Sequence, residues 1–230
     1  RRRLGGASYS EIAAEGGGIL STVTATRSAS EEDLFEATAR RLDEMLANGT
    51  TTCEAKSGYG LTTESELKLL RVIARLQQAH TIEIAPTFMG AHEIPAEHRA
   101  APEAYVALVC EEMIPAVASA RLAEWCDVFC EDGVFTPAAS TAILTAARAA
   151  GLKLRIHADE LGKSGGSAVA AAVGARSADH LIFADADAGR ALAAAGTVAT
   201  LLPSAAFYLK LGRVAPARML IESNVGGAVA

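Results

Sequence analysis

The sequence lacks a long hydrophobic run and any concentration of basic residues. No apolar stretch approaches the roughly 18 residues that a membrane-spanning helix requires, and the amino terminus lacks the charged, apolar and small-residue succession of a signal peptide. The 21 Lys and Arg residues are scattered among 27 Asp and Glu, which leaves no positive stripe for nucleic acid. We therefore expect a cytoplasmic protein that acts on a small molecule, with no membrane or nucleic-acid partner. The sequence leaves a homodimer open.

Cysteine is also scarce, with four in the chain. Cys126 and Cys130 lie on one predicted strand, about 13 Å apart at ~3.3 Å per residue, which is too far for a disulfide. We expect reduced cysteines that pack in the core. Half of the 230 residues are hydrophobic (50%), enough to bury a sizeable core.

From Ser30 onward, helix and strand signals alternate. Ser30 and the acidic residues after it begin a helix that Asn48-Gly49 ends, and Thr63 with Glu66 reads as the capping box of the next helix. Further helices are predicted from Pro102, Thr136, Ser167, Asp185 and Pro216. Strands are predicted over residues 50–55, 82–86, 125–131, 152–157, 177–180 and 197–202, and from 227 onward.

This alternation indicates an α/β fold with a parallel sheet and helices outside it. The length falls just short of the about 250 residues typical of a (β/α)8 TIM-type barrel. We predict that residues 1–230 form one partial barrel domain lacking the first strand and most of the eighth, because the chain opens on Arg1-Arg2-Arg3 without a strand and stops within one. A complete, open, doubly wound sheet is the alternative.

Two apolar runs each carry a histidine near their end, and parallel strands would bring His157 and His180 to the same rim. Neutral imidazole is a common ligand of zinc and iron, so His157 is a candidate metal ligand. Glu160 lies just past the strand end, where a carboxylate can act as general acid and base beside a metal-activated water. The alternative is a histidine that is merely hydrogen-bonded at the sheet edge.

Two other strand-end segments offer candidates for substrate binding. Gly58 and Gly60 let the backbone turn around Tyr59, whose hydroxyl could reach the barrel mouth, although the ring could instead simply pack over the barrel end. His92 follows strand 82–86 on a predicted long loop. Lys56 could form a Schiff base, but most such lysines are solvated or paired.

Three further polar residues receive weaker predictions. His80 and His98 lie in polar segments and are predicted to be solvated. Glu131, at the end of its strand, is a weak candidate for a carboxylate that supports the metal ligand.

Five segments resemble the imidazolonepropionases, metal-dependent members of the amidohydrolase superfamily, and the likeness extends over essentially the whole chain. The segments are SYSEI (8–12), GGGI (16–19), EAKSGYGL (54–61), TFMGAH (87–92) and HADE (157–160). The resemblance implies hydrolysis of the ring of 4-imidazolone-5-propanoate to N-formimidoyl-L-glutamate in histidine degradation. It also implies one zinc or iron ion that activates water, and a small flanking β domain that is absent from this chain.

Position by position, the resemblance makes His157 the metal ligand from the fifth barrel strand. His180 would face the activated water and the developing oxyanion, and Glu160 would contact the ring nitrogens and move protons. The substrate-binding side chains would be Tyr9, Tyr59, His92 and Glu160.

Some of the family's site residues have no counterpart in this sequence: a His-x-His pair, a substrate-binding arginine and an eighth-strand aspartate. One metal ligand of four remains, so we expect these 230 residues alone to be inactive. Three other functions stay open: another cyclic amidohydrolase or deaminase of the superfamily, a Schiff-base lyase at Lys56, and a non-catalytic binding protein.

Overall fold

The computed structural model describes residues 5–6 and 18–230, so Tyr9 lies outside the described residues. The chain divides into two compact units, Arg1–Trp125 and Cys126–Ala230. Each unit has an apolar core of its own. The buried side chains include Leu70, Phe88 and Val109 in the first unit and Val128, Ile143 and Leu192 in the second.

The first unit contains the parallel strands β1 (Thr52–Lys56) and β2 (Glu83–Ala91), with Thr52 opposite Glu83 and Lys56 opposite Thr87. Its α-helices are Ile19–Ser28, Glu31–Ala47, Thr63–Ala79, Pro102–Leu108 and Ile114–Ala120, and a short 3-10 helix covers Ala96–His98. A π-helical turn, Val109–Met113, joins the last two α-helices. Tyr105, Val109 and Val117 along this path are all buried.

The second unit repeats a strand and one or two helices. The strands β3 (Trp125–Cys130, whose first residue belongs to the first unit), β4 (Lys153–Ala158), β5 (Ser177–His180), β6 (Val198–Leu201) and β7 (Gly227–Val229) alternate with helices Pro137–Ala149, Gly166–Val173, Ala186–Ala195, Pro203–Leu209 and Ala217–Glu222. Strands β4 to β7 pair successively in parallel. Gly166 allows close packing of its helix on β4, because a Cβ there would lie 2.8 Å from Ala158 Cβ.

The strands follow one another in chain order, β1 to β7, in the sheet. Sequential parallel strands with helices between them define an incomplete (β/α)8 barrel of the TIM type, which confirms the predicted fold class. The doubly wound alternative is wrong, because that fold requires the strand order to reverse within the sheet.

Helix caps explain why most element boundaries were predictable. The Ser30 hydroxyl accepts the Asp33 N–H and the Asp33 carboxylate accepts the Ser30 N–H, so the predicted helix start is a capping box. The side chains of Thr136 and Asp185 cap their helices by accepting the N–H groups of Ala139 and Ala188.

Other predictions were wrong. Strand β2 continues to Ala91, so His92 follows a strand directly instead of lying on a long loop. The cap of the third helix is Thr62, which accepts the Ser65 N–H, and Glu66 has a different role described below. Helices Ile19–Ser28 and Pro203–Leu209 were not predicted. The first begins without a side-chain cap, and in the second the proline at the first helical position was overlooked.

The four cysteines are free, and Cys126 and Cys130 are fully buried, as predicted. Among the described residues, no helix is both long enough and apolar enough to cross a membrane.

Candidate active site

The ends of β4 and β5 bring the predicted site residues of the second unit together. In the parallel register His157 lies opposite Asp179, and Ala158 lies opposite His180. Asp159, His180 and Leu181 all adopt positive φ (50°, 72° and 56°), a conformation that is costly for residues with a Cβ and that clusters at functional sites. The Leu181 N–H donates to the Ala158 carbonyl over 3.0 Å, which fixes this turn against β4.

Carboxylates surround the His157 ring. Its Nδ1 lies 3.0 Å from Asp127 Oδ1 and 4.0 Å from Asp179 Oδ2. Asp127 is completely buried on β3 and Asp179 is 5% exposed, so both charges need a partner inside the protein. The His157 ring also lies 5.1 Å from the His180 ring, centroid to centroid.

Asp127, His157 and Asp179 could hold a metal ion. One ligand atom from each lies within 4.8 Å of the other two. Imidazole with carboxylate oxygen is a donor set that suits zinc and iron, so the residues present fit a divalent cation.

Glu160 lies beside His180, with Oε1 3.4 Å from His180 Nδ1. Burial raises the pKa of Glu160 to about 7; the His157 charge opposes this shift and the Glu131 charge adds to it. A carboxyl group with such a pKa is partly protonated at neutral pH, as a general acid and base requires.

Glu131 holds the segment that carries Glu160. Its Oε2 accepts the backbone N–H groups of Glu160 (3.0 Å) and Leu161 (2.8 Å), and it is 2% exposed. Burial raises the pKa of Glu131. The carboxylate in contact with His157 is thus Asp127, and Glu131 binds instead the loop after β4.

An apolar cavity of about 200 Å³ adjoins His180. Its walls come from strand ends and from the following helices, and they include Ile182, Leu201, Pro203 and Val214. The cavity offers an apolar surface next to the polar cluster.

In the first unit, Tyr59 and His92 are in contact. Their rings meet edge to face with centroids 5.0 Å apart, and His92 Nδ1 lies 3.0 Å from the Gly58 carbonyl. Because a carbonyl only accepts, Nδ1 carries the proton and the neutral ring has its acceptor at Nε2. Tyr59 is half-buried, and burial raises its pKa.

Lys56 and two histidines have structural partners. Lys56 Nζ lies 3.0 Å from Glu54 Oε2, and a paired ammonium is a poor Schiff-base nucleophile. His80 was predicted to be solvated, but its side chain is only 11% exposed, contacts Asp43, and accepts the Ile82 N–H at Nδ1. His98 is half-buried and packs against the Tyr105 ring.

The structure therefore gathers the predicted residues of each unit into a cluster: His157, His180 and Glu160 in one, Tyr59 and His92 in the other. Sequence reasoning missed Asp127 and Asp179. Both left a signal, because an aspartate stands inside each of two predicted strands, in the sequences WCDVFC and SADH. An aspartate in a buried strand must be paired or functional.

Solved structures of several enzymes, among them an amidohydrolase, share this fold. Adenine deaminase from Arthrobacter aurescens matches over 87% of this chain and 62% of its own length, with a TM-score of 0.64 and 16% sequence identity. 5-Methylcytosine deaminase from Klebsiella pneumoniae matches over 91% of this chain and 55% of its own length, with a TM-score of 0.68 and 16% sequence identity. An amidohydrolase from Burkholderia ambifaria with bound Zn matches over 87% of this chain and 57% of its own length, with a TM-score of 0.62 and 16% sequence identity. The chain thus has the barrel fold of the amidohydrolases.

In sequence, the chain is a relative of the imidazolonepropionases. It is 52% identical over 223 residues to imidazolonepropionase from Alkaliphilus metalliredigens, covering 97% of this chain and 53% of the relative. It is 54% identical over 221 residues to imidazolonepropionase from Symbiobacterium thermophilum, and this match covers 96% of this chain and 52% of the relative. The chain therefore spans about half the length of these curated relatives. A search of protein-family models gives no match.

Proposed function

We propose that the protein carrying this chain hydrolyses the ring of 4-imidazolone-5-propanoate to N-formimidoyl-L-glutamate, a step of histidine degradation. The supporting observation is the convergence of His157, Glu160 and His180, with two buried aspartates, in a chain about 50% identical to imidazolonepropionases. As a metabolic enzyme it would act on a small molecule in the cytoplasm.

His157 would hold the metal, zinc or iron, with Asp127 and Asp179 beside it. When bound, the metal would supply water that is deprotonated near neutral pH. Glu160, with its pKa near 7, would deliver a proton to the leaving ring nitrogen. His180, in contact with Glu160, would donate to the oxygen on which negative charge develops.

Substrate binding is assigned to Tyr59 and His92 in the first unit, with Tyr9 as a further candidate. The His92 tautomer described above presents an acceptor at Nε2, which suits a ring N–H group. The Tyr59 hydroxyl can donate to a carbonyl or carboxylate oxygen.

Turnover of 4-imidazolone-5-propanoate, followed by loss of ring absorbance with and without a chelator, tests the function. We expect the complete gene product to be active, chelation to abolish its activity, and restored metal to recover it. Elemental analysis of the active protein decides between zinc and iron. We expect the 230 residues alone to be inactive. Absence of turnover by the metal-loaded complete protein would reject the proposal.

Replacing Glu160 by Gln tests the proton-transfer role. The amide keeps the shape of the side chain but cannot donate a titratable proton, so we expect turnover to fall by roughly 10²-fold or more. Metal content should stay unchanged, because Glu160 is not assigned as a ligand. Glu103→Gln, an exposed glutamate, is the control. An unimpaired Glu160→Gln variant would rule out this role.

A deaminase or another cyclic amidohydrolase is the second candidate, favoured by the fold shared with the two deaminases above. Such an enzyme would release ammonia from an aminated ring. A panel of imidazolone, adenine, cytosine and cyclic amide substrates separates the two functions. The imidazolone should be turned over with the highest kcat/KM.

A further inference from the structure

A buried carboxylate holds the loop that carries Tyr59. Glu66 is completely buried in the first turn of helix Thr63–Ala79. Its Oε2 accepts the Gly58 N–H over 2.9 Å, and its Oε1 accepts the N–H groups of Gly60 and Leu61, each over 2.8 Å. Three of the five backbone N–H groups in the segment Ser57–Leu61 thus donate to the Glu66 carboxylate.

An arginine binds the carbonyl groups of the same loop. Arg27 Nε donates to the Gly60 carbonyl over 2.6 Å, and its Nη2 lies 3.4 Å from the Leu61 carbonyl. The guanidinium is itself fixed by Glu97, 2.8 Å away. Glu66 and Arg27 therefore bind both the N–H groups and the carbonyl groups of Gly60 and Leu61.

The loop conformation is one that the chain would not keep unaided. Gly58 has φ 98° and Leu61, with a full side chain, has φ 55°. At Gly60 a Cβ would lie 2.6 Å from the Ser65 carbonyl carbon, so the loop packs directly on the helix that carries Glu66. Charge-assisted hydrogen bonds of a buried carboxylate are strong enough to offset such backbone strain.

We propose that Glu66, assisted by Arg27, is a positioning residue that holds the Gly58–Leu61 loop in the one conformation that places Tyr59 against His92 for substrate binding. The link to substrate rests on the proposed function. The loop geometry does not. Without this clamp, meaning the hydrogen bonds of Glu66 and Arg27 to the loop, only a fraction of molecules would have the loop conformation that binds substrate. The apparent affinity for substrate would fall by that fraction.

Glu66→Gln is the central variant. A glutamine oxygen can accept two of the three N–H groups, but its NH2 must face the third, so the loop should loosen. Glu64→Gln, exposed on the same helix turn, makes the same charge change and is the matched control. If Glu66→Gln folds poorly, Arg27→Met is the alternative variant, because it removes the hydrogen bonds to the Gly60 and Leu61 carbonyls. Arg40→Met, at an exposed arginine, is its control.

Two measurements do not depend on catalysis. Hydrogen exchange at Gly58, Gly60 and Leu61 should accelerate at least tenfold in Glu66→Gln, with the amides of β2 unchanged. The Tyr59 hydroxyl, followed by NMR with labelled tyrosine and assigned by Tyr59→Phe, should titrate closer to the ordinary tyrosine pKa. Wild-type exchange and titration in Glu66→Gln would overturn the proposal.

The third measurement is the split between KM and kcat for 4-imidazolone-5-propanoate. We expect KM to rise roughly tenfold in Glu66→Gln while kcat changes less than threefold, because molecules that have bound substrate have an ordered loop. A loosened loop with unchanged KM would overturn the link to substrate binding. If the wild-type protein has no turnover, the proposed function fails, and exchange and NMR still decide the clamp.

Discussion

At the scale of single residues, the same arrangement occurs three times, once in the loop after β1 and twice in the loop after β4. Glu66, Glu131 and Asp159 are each less than about a tenth exposed, and each accepts backbone N–H groups from a strand-end loop. Asp159 receives those of Gly165 (2.9 Å) and Ser167 (3.1 Å). Sharp turns leave N–H groups that no strand or helix can pair, and a buried carboxylate satisfies two or three at once.

Glu160 should make the stability of the metal-free protein depend on pH. Its folded pKa of about 7 exceeds the ordinary 4.5, so the native state binds the proton more tightly than the unfolded chain. Stability from this group is therefore fully present below pH ~4.5 and is lost as pH rises to about 7, by roughly 3 kcal/mol. We expect Glu160→Gln to be more stable than wild type at pH 8 and nearly equal at pH 4.5.

Urea unfolding of both proteins with a chelator, at these two pH values, measures the difference. Glu103→Gln again serves as control and should follow wild type at both. If Glu160→Gln keeps the same stability difference from wild type at both pH values, the Glu160 carboxyl does not titrate as described.

The histidine and glutamate candidates were predictable from sequence because they follow strand ends, where parallel strands of a barrel build their sites. Asp127 and Glu66 were not, for a physical reason. Asp127 contacts a histidine 30 residues away, and Glu66 looked like part of a cap because its position in the first helical turn fits one. Which donor a buried carboxylate binds is decided by tertiary packing and not by spacing.

At the scale of helices and strands, most boundaries follow from local chemistry. Serine, threonine and aspartate caps mark helix starts, and glycines with positive φ end several helices, as at Gly174 and Gly196. Helix Ile19–Ser28 begins without such a cap and was missed, and the proline that begins helix Pro203–Leu209 was overlooked. The length of β2 was also missed, because Pro86 within it resembles a strand end.

Replacing Ser30 by Ala should destabilise the first unit. The change removes the acceptor for the Asp33 N–H and one half of a capping box, at a cost of about 1 kcal/mol. Ser28→Ala, whose hydroxyl only donates to the Ala25 carbonyl, is the control and should stay within about 0.5 kcal/mol of wild type. Equilibrium unfolding in urea compares them, and equal midpoints for both variants would contradict the capping assignment.

At the scale of the whole molecule, stability comes from apolar cores and hydrogen bonds without covalent links. The four cysteines are free, and burial raises the pKa of Cys130, which lowers its reactivity as a thiolate. The fold class was predictable because sequential alternation of strands and helices allows few topologies. The division into two compact units was not, because each unit has the same alternating pattern.

Titration of thiols tests the absence of disulfides. Protein purified without reductant and denatured in guanidinium should release four thiols per chain, the same number as after reduction. In the native state Cys126 and Cys130 should react far more slowly than after denaturation, because both are fully buried. A smaller count before reduction than after would indicate a disulfide.

The π-helical turn at Val109–Met113 determines where this protein can lose a residue. Tyr105 and Val117 are twelve positions apart and both buried, although a regular helix would point them about 120° apart. The wide turn absorbs one surplus residue, and eleven positions would return the two side chains to within about 20° of each other. A one-residue deletion inside the turn should therefore keep both faces aligned, with a kink at Pro115, which has no N–H for an α-helical hydrogen bond. The same deletion elsewhere on this helical path would rotate one face away from the core, so natural gaps among relatives should fall at this turn.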